Sequence, residues 1–231
     1  MNLGRVLFIE DELTLAEIVR ESLDAKGFDV THVTALSAAT LQYHKNLPDI
    51  IVADVMLPDG DGFDWVKQLR KSDTTTPVIF LTARSQTEDV VKGFELGGND
   101  YLKKPFSIAE LIARMKALLK KGQPFSTLSN SESIIWTLGQ FIFYYPAGKL
   151  ISSYRDVQLT SREADLLHLL LLNLNYTVSR NDVLLQLWGN TDYFSGRSLD
   201  VFISKLRKYL RADASVKIIN IRGLGYKLIT Y

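Results

Sequence analysis

The chain of 231 residues contains no cysteine and no long apolar run. Without cysteine it forms no disulfide and no thiolate metal site. No apolar run approaches the roughly 20 residues that a membrane-spanning helix needs. The run that ends at Ile9 is cut by Glu10, Asp11 and Glu12, which is not the pattern of a secretory signal. We therefore expect a cytoplasmic protein without a membrane segment.

Net charge is also small, at +1, but its distribution along the chain is uneven. Residues 1–119 carry 13 basic and 18 acidic side chains, whereas residues 120–231 carry 14 basic and 8 acidic ones. An acidic half joined to a basic half suggests two different tasks, the second involving nucleic acid. A hydrophobic content of 46% is sufficient for one or two cored domains.

The first half alternates strand-like runs with segments of helical spacing. Strands are predicted at about 5–9, 28–33, 49–54, 77–82 and 99–103. Repeated βα units predict an α/β fold, a doubly wound five-stranded parallel sheet covered by helices on both faces. Residues 122–133 are rich in Ser, Thr, Asn, Pro and Gly, and we interpret them as a linker between domains 1–121 and 134–231.

The second half has a different pattern, without internal repeats. Residues 134–159 alternate as short antiparallel strands, and Thr160 to Glu163 has the spacing of a capping box that opens a helix. Further helices are predicted at about 179–187 and 196–211, followed by a hairpin at 217–228 that turns at Gly223 to Gly225. Helices closed by a terminal hairpin indicate an α+β winged helix-turn-helix domain.

Polar residues stand where the predicted strands of the first half end. Glu10 and Asp11 follow the first strand, Asp54 ends the third, Thr82 ends the fourth, and Lys104 follows the fifth. The carboxyl ends of parallel strands lie side by side, so these groups should converge. Clustered carboxylates repel one another unless a cation lies among them, and Mg²⁺ prefers oxygen ligands. We therefore predict a Mg²⁺ site.

With these strand-end residues and Pro105 after Lys104, residues 1–119 resemble the receiver domain of two-component response regulators. The whole chain resembles the OmpR/PhoB family of transcription regulators. The resemblance implies that a sensor histidine kinase phosphorylates Asp54, which promotes homodimer formation and promoter binding. It also implies roles for other residues: Mg²⁺ ligands at Glu10, Asp11, Asp54 and the Met56 carbonyl, phosphoryl contacts at Thr82 and Lys104, and a switch at Tyr101. Buried packing is an equally open role for Tyr101.

Two other readings of the first domain are weighed against this one. A haloacid dehalogenase-type phosphatase uses a second Asp two residues after its nucleophile, but that position is Met56 here. A receiver that is never phosphorylated and serves only for dimerisation is disfavoured by the complete acidic set. We therefore expect a regulator and not an enzyme.

The resemblance also implies dimerisation through the last two helices and the last strand of the receiver. Asp100 and Arg114 fit one cross-subunit ion pair of the family, and Glu110 fits half of another. Val90 stands where a basic residue usually faces Glu110, and Asn99 stands where the family is often acidic. The interface therefore has fewer complementary charges than is typical, but exposed pairs contribute only about 0–1 kcal/mol each, so dimerisation can survive these departures.

Residues 195–211 predict a helix whose core stripe is Leu199, Phe202 or Ile203, Leu206 and Leu210, with Val201 and most of the charged residues pointing away from it. A helix with one basic face fits the major groove of DNA. It resembles the recognition helix of the family, and Arg222 resembles the wing residue that enters the minor groove. By position, Asp200, Ser204 and Lys205 would approach base edges, whereas Arg197, Arg207 and Lys208 would favour phosphates. Phe202 fits either the core or a thymine methyl. The resemblance favours binding to direct repeats, and the loop Asn190–Ser195 is either a contact for RNA polymerase or a simple connector.

Overall fold

The computed structural model describes residues 3–83, 87–119, 134–189, 191 and 193–231, and only the backbone at 87–90 and 193–194. The chain divides into two compact units, Met1–Lys121 and Gly122–Tyr231. The predicted linker 122–133 lies outside the described residues, as does the side chain of Val90.

The first unit is built on a parallel sheet with strand order β2-β1-β3-β6-β7, as predicted. Its strands are β1 (Gly4–Ile9), β2 (Phe28–Val33), β3 (Ile50–Asp54), β6 (Val78–Thr82) and β7 (Asp100–Lys103), and a separate short hairpin contains β4 (Met56–Leu57) and β5 (Gly60–Asp61). Its helices are α1 (Leu13–Ala25), α2 (Leu36–Lys45), α3 (Gly62–Leu69), α4 (Thr87–Glu95) and α5 (Ile108–Leu119). The β4–β5 hairpin was not predicted.

Helices cover both faces of this sheet, which explains why β3 and β6 are buried along their whole length. On one face Phe8 packs in a cluster with Val19 of α1 and Met115 of α5. On the other face the ring of Phe80 meets the ring of Phe63 of α3 edge-on, with centroids 4.8 Å apart. The polar ends of the strands are therefore held on a rigid, fully packed support.

The second unit combines two antiparallel sheets with three helices. A four-stranded sheet has the order β11-β10-β9-β8, and a three-stranded sheet has the order β12-β14-β13. The strands are β8 (Ile134–Leu138), β9 (Phe141–Tyr145), β10 (Lys149–Ile151), β11 (Val157–Gln158), β12 (Thr177–Ser179), β13 (Val216–Ile221) and β14 (Gly225–Thr230). The helices are α6 (Ser161–Leu172), α7 (Arg180–Trp188) and α8 (Tyr193–Leu210). The predicted winged-helix architecture is confirmed.

Two details of the second unit differ from the sequence prediction. Strand β12 joins the terminal hairpin as a third strand, and helix α8 begins at Tyr193 rather than at 196. A Cβ atom on Gly225 would lie 2.0 Å from the carbonyl oxygen of Val178, so β12 and β14 approach closely only because residue 225 has no side chain.

Helix α8 buries a wider face than its apolar stripe predicted. Val201 was expected to point away from the core, and this is wrong, because its side chain is buried. The reason is that α8 contacts α6, α7 and β13, so neighbours cover it on several sides. Phe202 is fully buried and its ring lies 6.0 Å from that of Trp188, which places it in the core and not at a thymine.

Candidate functional site

The polar strand ends of the first unit meet at one edge of the sheet. Glu10 follows β1 and Asp54 ends β3, and these strands are neighbours at the point where the strand order reverses. Open α/β sheets bind ligands at such a switch point, outside the carboxyl ends of the strands. Thr82 ends β6 and is fully buried, and Lys104 follows β7.

The ammonium of Lys104 binds both buried carboxylates. Its Nζ lies 2.6 Å from Asp54 Oδ2 and 2.8 Å from Glu10 Oε1, and it also lies 2.7 Å from Glu10 Oε2. Asp54 Oδ1 accepts a hydrogen bond from the backbone N–H of Met56 at 2.9 Å. Both oxygens of Asp54 therefore have partners, and the one bound to Lys104 faces a positive charge.

These contacts change the proton affinities of the paired groups. Burial raises the pKa of Glu10 above its ordinary value, although the neighbouring Lys104 opposes this. Burial by itself would lower the pKa of Lys104, but its hydrogen bonds to Asp54 and Glu10 outweigh that effect and raise the pKa. Lys104 is therefore a cation at neutral pH.

Three carboxylates form a cluster that suits a hard divalent cation. Ligand oxygens of Glu10, Asp11 and Asp54 lie within 4.8 Å of one another, and Asp11 is exposed to solvent. Glu10 Oε2 is buried and accepts no hydrogen bond of good geometry. An all-oxygen set that is open on the Asp11 side fits Mg²⁺, which retains several waters. The metal-binding role of the Met56 carbonyl stays a prediction.

Two residues that the sequence analysis did not single out support the site. A Cβ atom on Gly62 would lie 2.3 Å from the carbonyl oxygen of Asp54, so the β4–β5 hairpin folds back on the acceptor strand only with glycine there. His32 Nε2 donates to the carbonyl oxygen of Glu10 at 2.8 Å. Only the tertiary pairing of β1 with β2 connects His32 to the acidic pair.

Tyr101 is fully buried below the site. Its ring lies 6.5 Å from that of Phe63 and 6.3 Å from that of Phe94. The structure therefore gives Tyr101 the packing role in this conformation. A change of rotamer on phosphorylation stays a prediction.

The residues expected at a dimer interface are joined within one chain. Arg114 is buried and donates to Asp100 Oδ1 at 3.0 Å and to Glu110 Oε1 at 2.7 Å. Asn99 is also buried, and its Oδ1 accepts hydrogen bonds from Arg70 and from the N–H of Val78. Asn99 thus has a structural role in this chain, and the cross-subunit pairing of Asp100 with Arg114 stays a prediction.

Helix α8 presents a largely basic stripe to solvent. Its exposed side chains are those of Arg197, Asp200, Ser204, Arg207 and Lys208, and the exposed Arg211 directly follows the helix. Arg222 is exposed in the turn between β13 and β14. Helix and wing therefore provide two adjoining elements of one candidate DNA surface. Of the loop Asn190–Ser195, residues 190 and 192 and the side chains of 193–194 lie outside the described residues.

Some of the predicted DNA-contacting residues have partners within the second unit. Lys205 is only 17% exposed and its Nζ lies 3.0 Å from Glu163 Oε1, a buried carboxylate at the start of α6. Arg207 donates to the carbonyl oxygen of Ile218 at 2.9 Å and to the side chain of Asn220 at 2.7 Å. The contact with Glu163 favours a structural role for Lys205. Base reading by Lys205 stays a prediction.

Comparison with known proteins agrees with this architecture. A model described as the response regulator receiver domain matches residues 6–116, and one described as the C-terminal domain of transcriptional regulatory proteins matches residues 154–228. The chain is 33% identical to the phosphate regulon transcriptional regulatory protein PhoB of Escherichia coli, over 98% of both chains. The chain belongs to the OmpR/PhoB family of response regulators. This response regulator is thus a transcriptional regulator of a two-component system.

Other relatives also match almost the whole length of this chain. Transcriptional regulatory protein RprY of Bacteroides fragilis is 39% identical over 98% of this chain and 94% of its own length. The solved structure of response regulator DrrB of Thermotoga maritima, an OmpR/PhoB homologue, covers 99% of this chain and 100% of its own, with 26% identity and a TM-score of 0.52. Among the described residues, none of the helices combines the length and apolarity needed to cross a bilayer.

Proposed function

We propose that Asp54 accepts a phosphoryl group from a sensor histidine kinase and that phosphorylation promotes dimerisation and promoter binding. The observation that carries the proposal is the Asp54 carboxylate, almost buried at the switch point of the sheet, with the Lys104 ammonium 2.6 Å away. Glu10 and Asp11 lie beside it in the same acidic cluster. A nucleophile, a cation and a metal-binding pair are the parts that phosphoryl transfer requires.

The chemistry needs no general base. A carboxylate oxygen of Asp54 forms a bond to phosphorus while the bond between phosphorus and the donor breaks, which gives an acyl phosphate. Glu10, Asp11 and Asp54 would hold Mg²⁺, which would supply positive charge that offsets the charge on the transferred oxygens. Lys104 then exchanges its contact with Asp54 for a phosphoryl oxygen, and the Thr82 hydroxyl donates to another. Release of Lys104 from its carboxylate is the local change that communicates phosphorylation.

The output requires pairing of receivers and binding of two DNA-binding domains. We propose a two-fold pair that uses the last two helices and the last strand of the receiver. If the segment 122–133 acts as a flexible linker, the DNA-binding domains are free to bind head to tail on direct repeats about 10–10.5 base pairs apart. Lys208 and Arg197 would bind phosphates, and Ser204 and the wing residue Arg222 would approach bases.

A receiver used only for dimerisation is the second candidate function. The Asp100–Arg114 pair is compatible with it, because the pair forms within one chain without any phosphoryl group. A receiver that only dimerises would not require the acidic cluster of Glu10, Asp11 and Asp54. Phosphorylation of the purified chain separates the two candidates.

The test is incubation of the full chain with acetyl phosphate, with and without Mg²⁺, followed by intact-mass measurement. We expect one added phosphoryl group per chain in the presence of Mg²⁺ and none in EDTA. Asp54→Ala should abolish the addition, whereas Asp64→Ala, which changes an exposed carboxylate of α3, should not. Substantial labelling of Asp54→Ala, or undiminished labelling in EDTA, contradicts the proposal.

A further inference from the structure

Arg180, the first residue of α7, contacts both elements of the candidate DNA surface, helix α8 and the wing. Its Nη1 donates to Asp200 Oδ1 of α8 at 2.6 Å and to the hydroxyl of Tyr226 in β14. Its Nη2 donates to Asp200 Oδ2 at 3.1 Å and to the carbonyl oxygen of Gly196 at 2.7 Å. One guanidinium thus binds two residues of the recognition helix, Gly196 and Asp200, and one residue of the wing, Tyr226.

The contact between Arg180 and Asp200 is a fork-to-fork pair, because Nη1 binds Oδ1 and Nη2 binds Oδ2. Such geometry is available to arginine and not to lysine. Tyr226 completes the arrangement by donating to Asp200 Oδ1 at 2.9 Å. Burial, with the neighbouring Asp200 as a second cause, raises the pKa of Tyr226 to about 12, so the phenol keeps its proton at neutral pH.

Asp200 is the only acidic residue in the exposed stripe that runs from Arg197 along α8 to Arg211 just after it. A free carboxylate at this place would repel DNA phosphates, which carry one negative charge for about every 1.7 Å of helix axis. In the structure both of its oxygens are already engaged by Arg180 and Tyr226. The arrangement therefore neutralises a charge and fixes the helix against the wing at the same time.

We propose that Arg180 is a positioning residue for DNA recognition, which clamps α8 to the wing through Asp200 and Tyr226 and neutralises the Asp200 carboxylate. In this role Asp200 serves as the anchor of the clamp and not as a reader of bases. The inference rests on the proposed function of α8 and the wing as the DNA surface, and it assigns a task to a residue outside both elements.

The test uses the full chain, treated with acetyl phosphate and Mg²⁺, and a binding site that the wild-type chain selects from random DNA. Fluorescence anisotropy gives the affinity for that site and for random DNA at several salt concentrations. Arg180→Ala should weaken binding to both DNAs about tenfold, comparable to the loss of one charge-assisted hydrogen bond. Hydrogen exchange of residues 193–210 and 225–230 checks that the helix and wing remain folded.

The decisive variant combines Arg180→Ala with Asp200→Asn. If Arg180 acts through Asp200, removing the carboxylate should recover the part of the affinity that was lost to its unneutralised charge and leave the salt slope close to that of the wild type, whereas the part that depends on the clamp stays lost. If Arg180 instead binds a phosphate directly, the double variant should remain as weak as Arg180→Ala, with a salt slope lower by about 0.9. The second result overturns the proposal.

Two conservative variants provide an independent readout that also holds if Arg180→Ala does not fold. Arg180→Lys keeps the charge but not the fork, so its affinity should stay below that of the wild type. Full wild-type affinity of Arg180→Lys would contradict the clamp. Tyr226→Phe should give a smaller loss in the same direction, and no loss would remove the wing from the proposal.

The failure of this inference is distinguishable from the failure of the proposed function. Binding of the wild-type chain to all sequences alike would reject sequence-specific recognition. The coupling between Arg180 and Asp200 would even then be measured from the affinities for random DNA.

Discussion

The proposed phosphorylation site and the candidate DNA surface of this response regulator are built in opposite ways. The phosphorylation site collects side chains that lie far apart in the sequence, from Glu10 to Lys104, and buries most of them. The DNA surface is mainly one helix whose charged residues recur along a single exposed stripe. The first site depends on the sheet for its existence, and the second depends on the periodicity of one helix.

This difference has a consequence for the strength of the charge contacts. In the receiver the Lys104 ammonium and the Glu10 and Asp54 carboxylates are mostly withdrawn from solvent, so each contact is strong and has few alternatives. On α8 the pair formed by Arg180 and Asp200 is partly exposed, and salt screens it. We therefore expect substitutions of charged residues in the receiver to cost more free energy than substitutions on the candidate DNA surface.

The largest effect is expected for Arg114→Ala, because it would leave Asp100 buried without its charge partner. Loss of one member of a buried pair costs about 3–5 kcal/mol of unfolding free energy. Hydrogen exchange of the α5 amides measures this loss within the receiver. Lys116→Ala, at an exposed position of the same helix, should change the free energy by at most about 0.5 kcal/mol. Equal effects would mean that Arg114 is not a buried structural cation.

The next effect is on the coupling between phosphorylation and dimerisation. Lys104→Ala removes the only cation that contacts Asp54 among the described residues, whereas Lys103 is exposed and consecutive strand residues face opposite ways. After acetyl phosphate treatment, Lys104→Ala should weaken dimerisation about tenfold, or about 1.4 kcal/mol. Sedimentation of Lys103→Ala provides the control, and equal losses would remove Lys104 from the coupling.

A smaller effect on DNA binding is expected for Lys205→Ala, which tests whether Lys205 supports the fold or reads bases. Because its ammonium contacts buried Glu163, we expect Lys205→Ala to destabilise the second unit and to leave the sequence preference unchanged. Base reading would instead require a loss of about 1–3 kcal/mol on the preferred site and a relaxed preference. Selection of sites from random DNA by the variant chain decides between these outcomes.

The smallest effect is expected for Lys208, which is exposed on α8. Lys208→Ala should weaken all DNA sequences alike and lower the salt slope by about 0.9, the contribution of one phosphate contact. Arg207→Ala should do the same and in addition loosen β13, because its guanidinium also binds Ile218 and Asn220. A changed sequence preference in Lys208→Ala would show that this residue reads bases.

Most of the receiver site was predictable because every member follows an apolar run. The predicted strands end within one residue of the observed ones, so Glu10, Asp54, Thr82 and Lys104 were placed at the correct edge of the sheet. His32 and Gly62 were not identified, because their importance lies in contacts with a neighbouring strand and a returning loop. Such contacts have no signal in local periodicity.

The DNA surface was predictable in its location and less so in its details. Helical spacing assigned Leu199, Leu206 and Leu210 to the core, but it left Phe202 undecided and placed Val201 outside. Those side chains lie at the border of the stripe, where burial depends on which neighbours cover the helix. The partners of Asp200, Lys205 and Arg207 come from other elements, so no pattern within residues 195–211 could reveal them.

By itself the sequence determined the two domain types, the strand ends that carry the proposed phosphorylation site and the helix that carries the basic stripe, because each depends on periodicity over short stretches. The tertiary structure alone decided which charges are paired. It joined Lys104 to Glu10 and Asp54, and Arg180 to Asp200 and Tyr226. Charge pairing acts over a few ångströms in space, and the distance between two residues in space follows from the packing of elements and not from their separation along the chain.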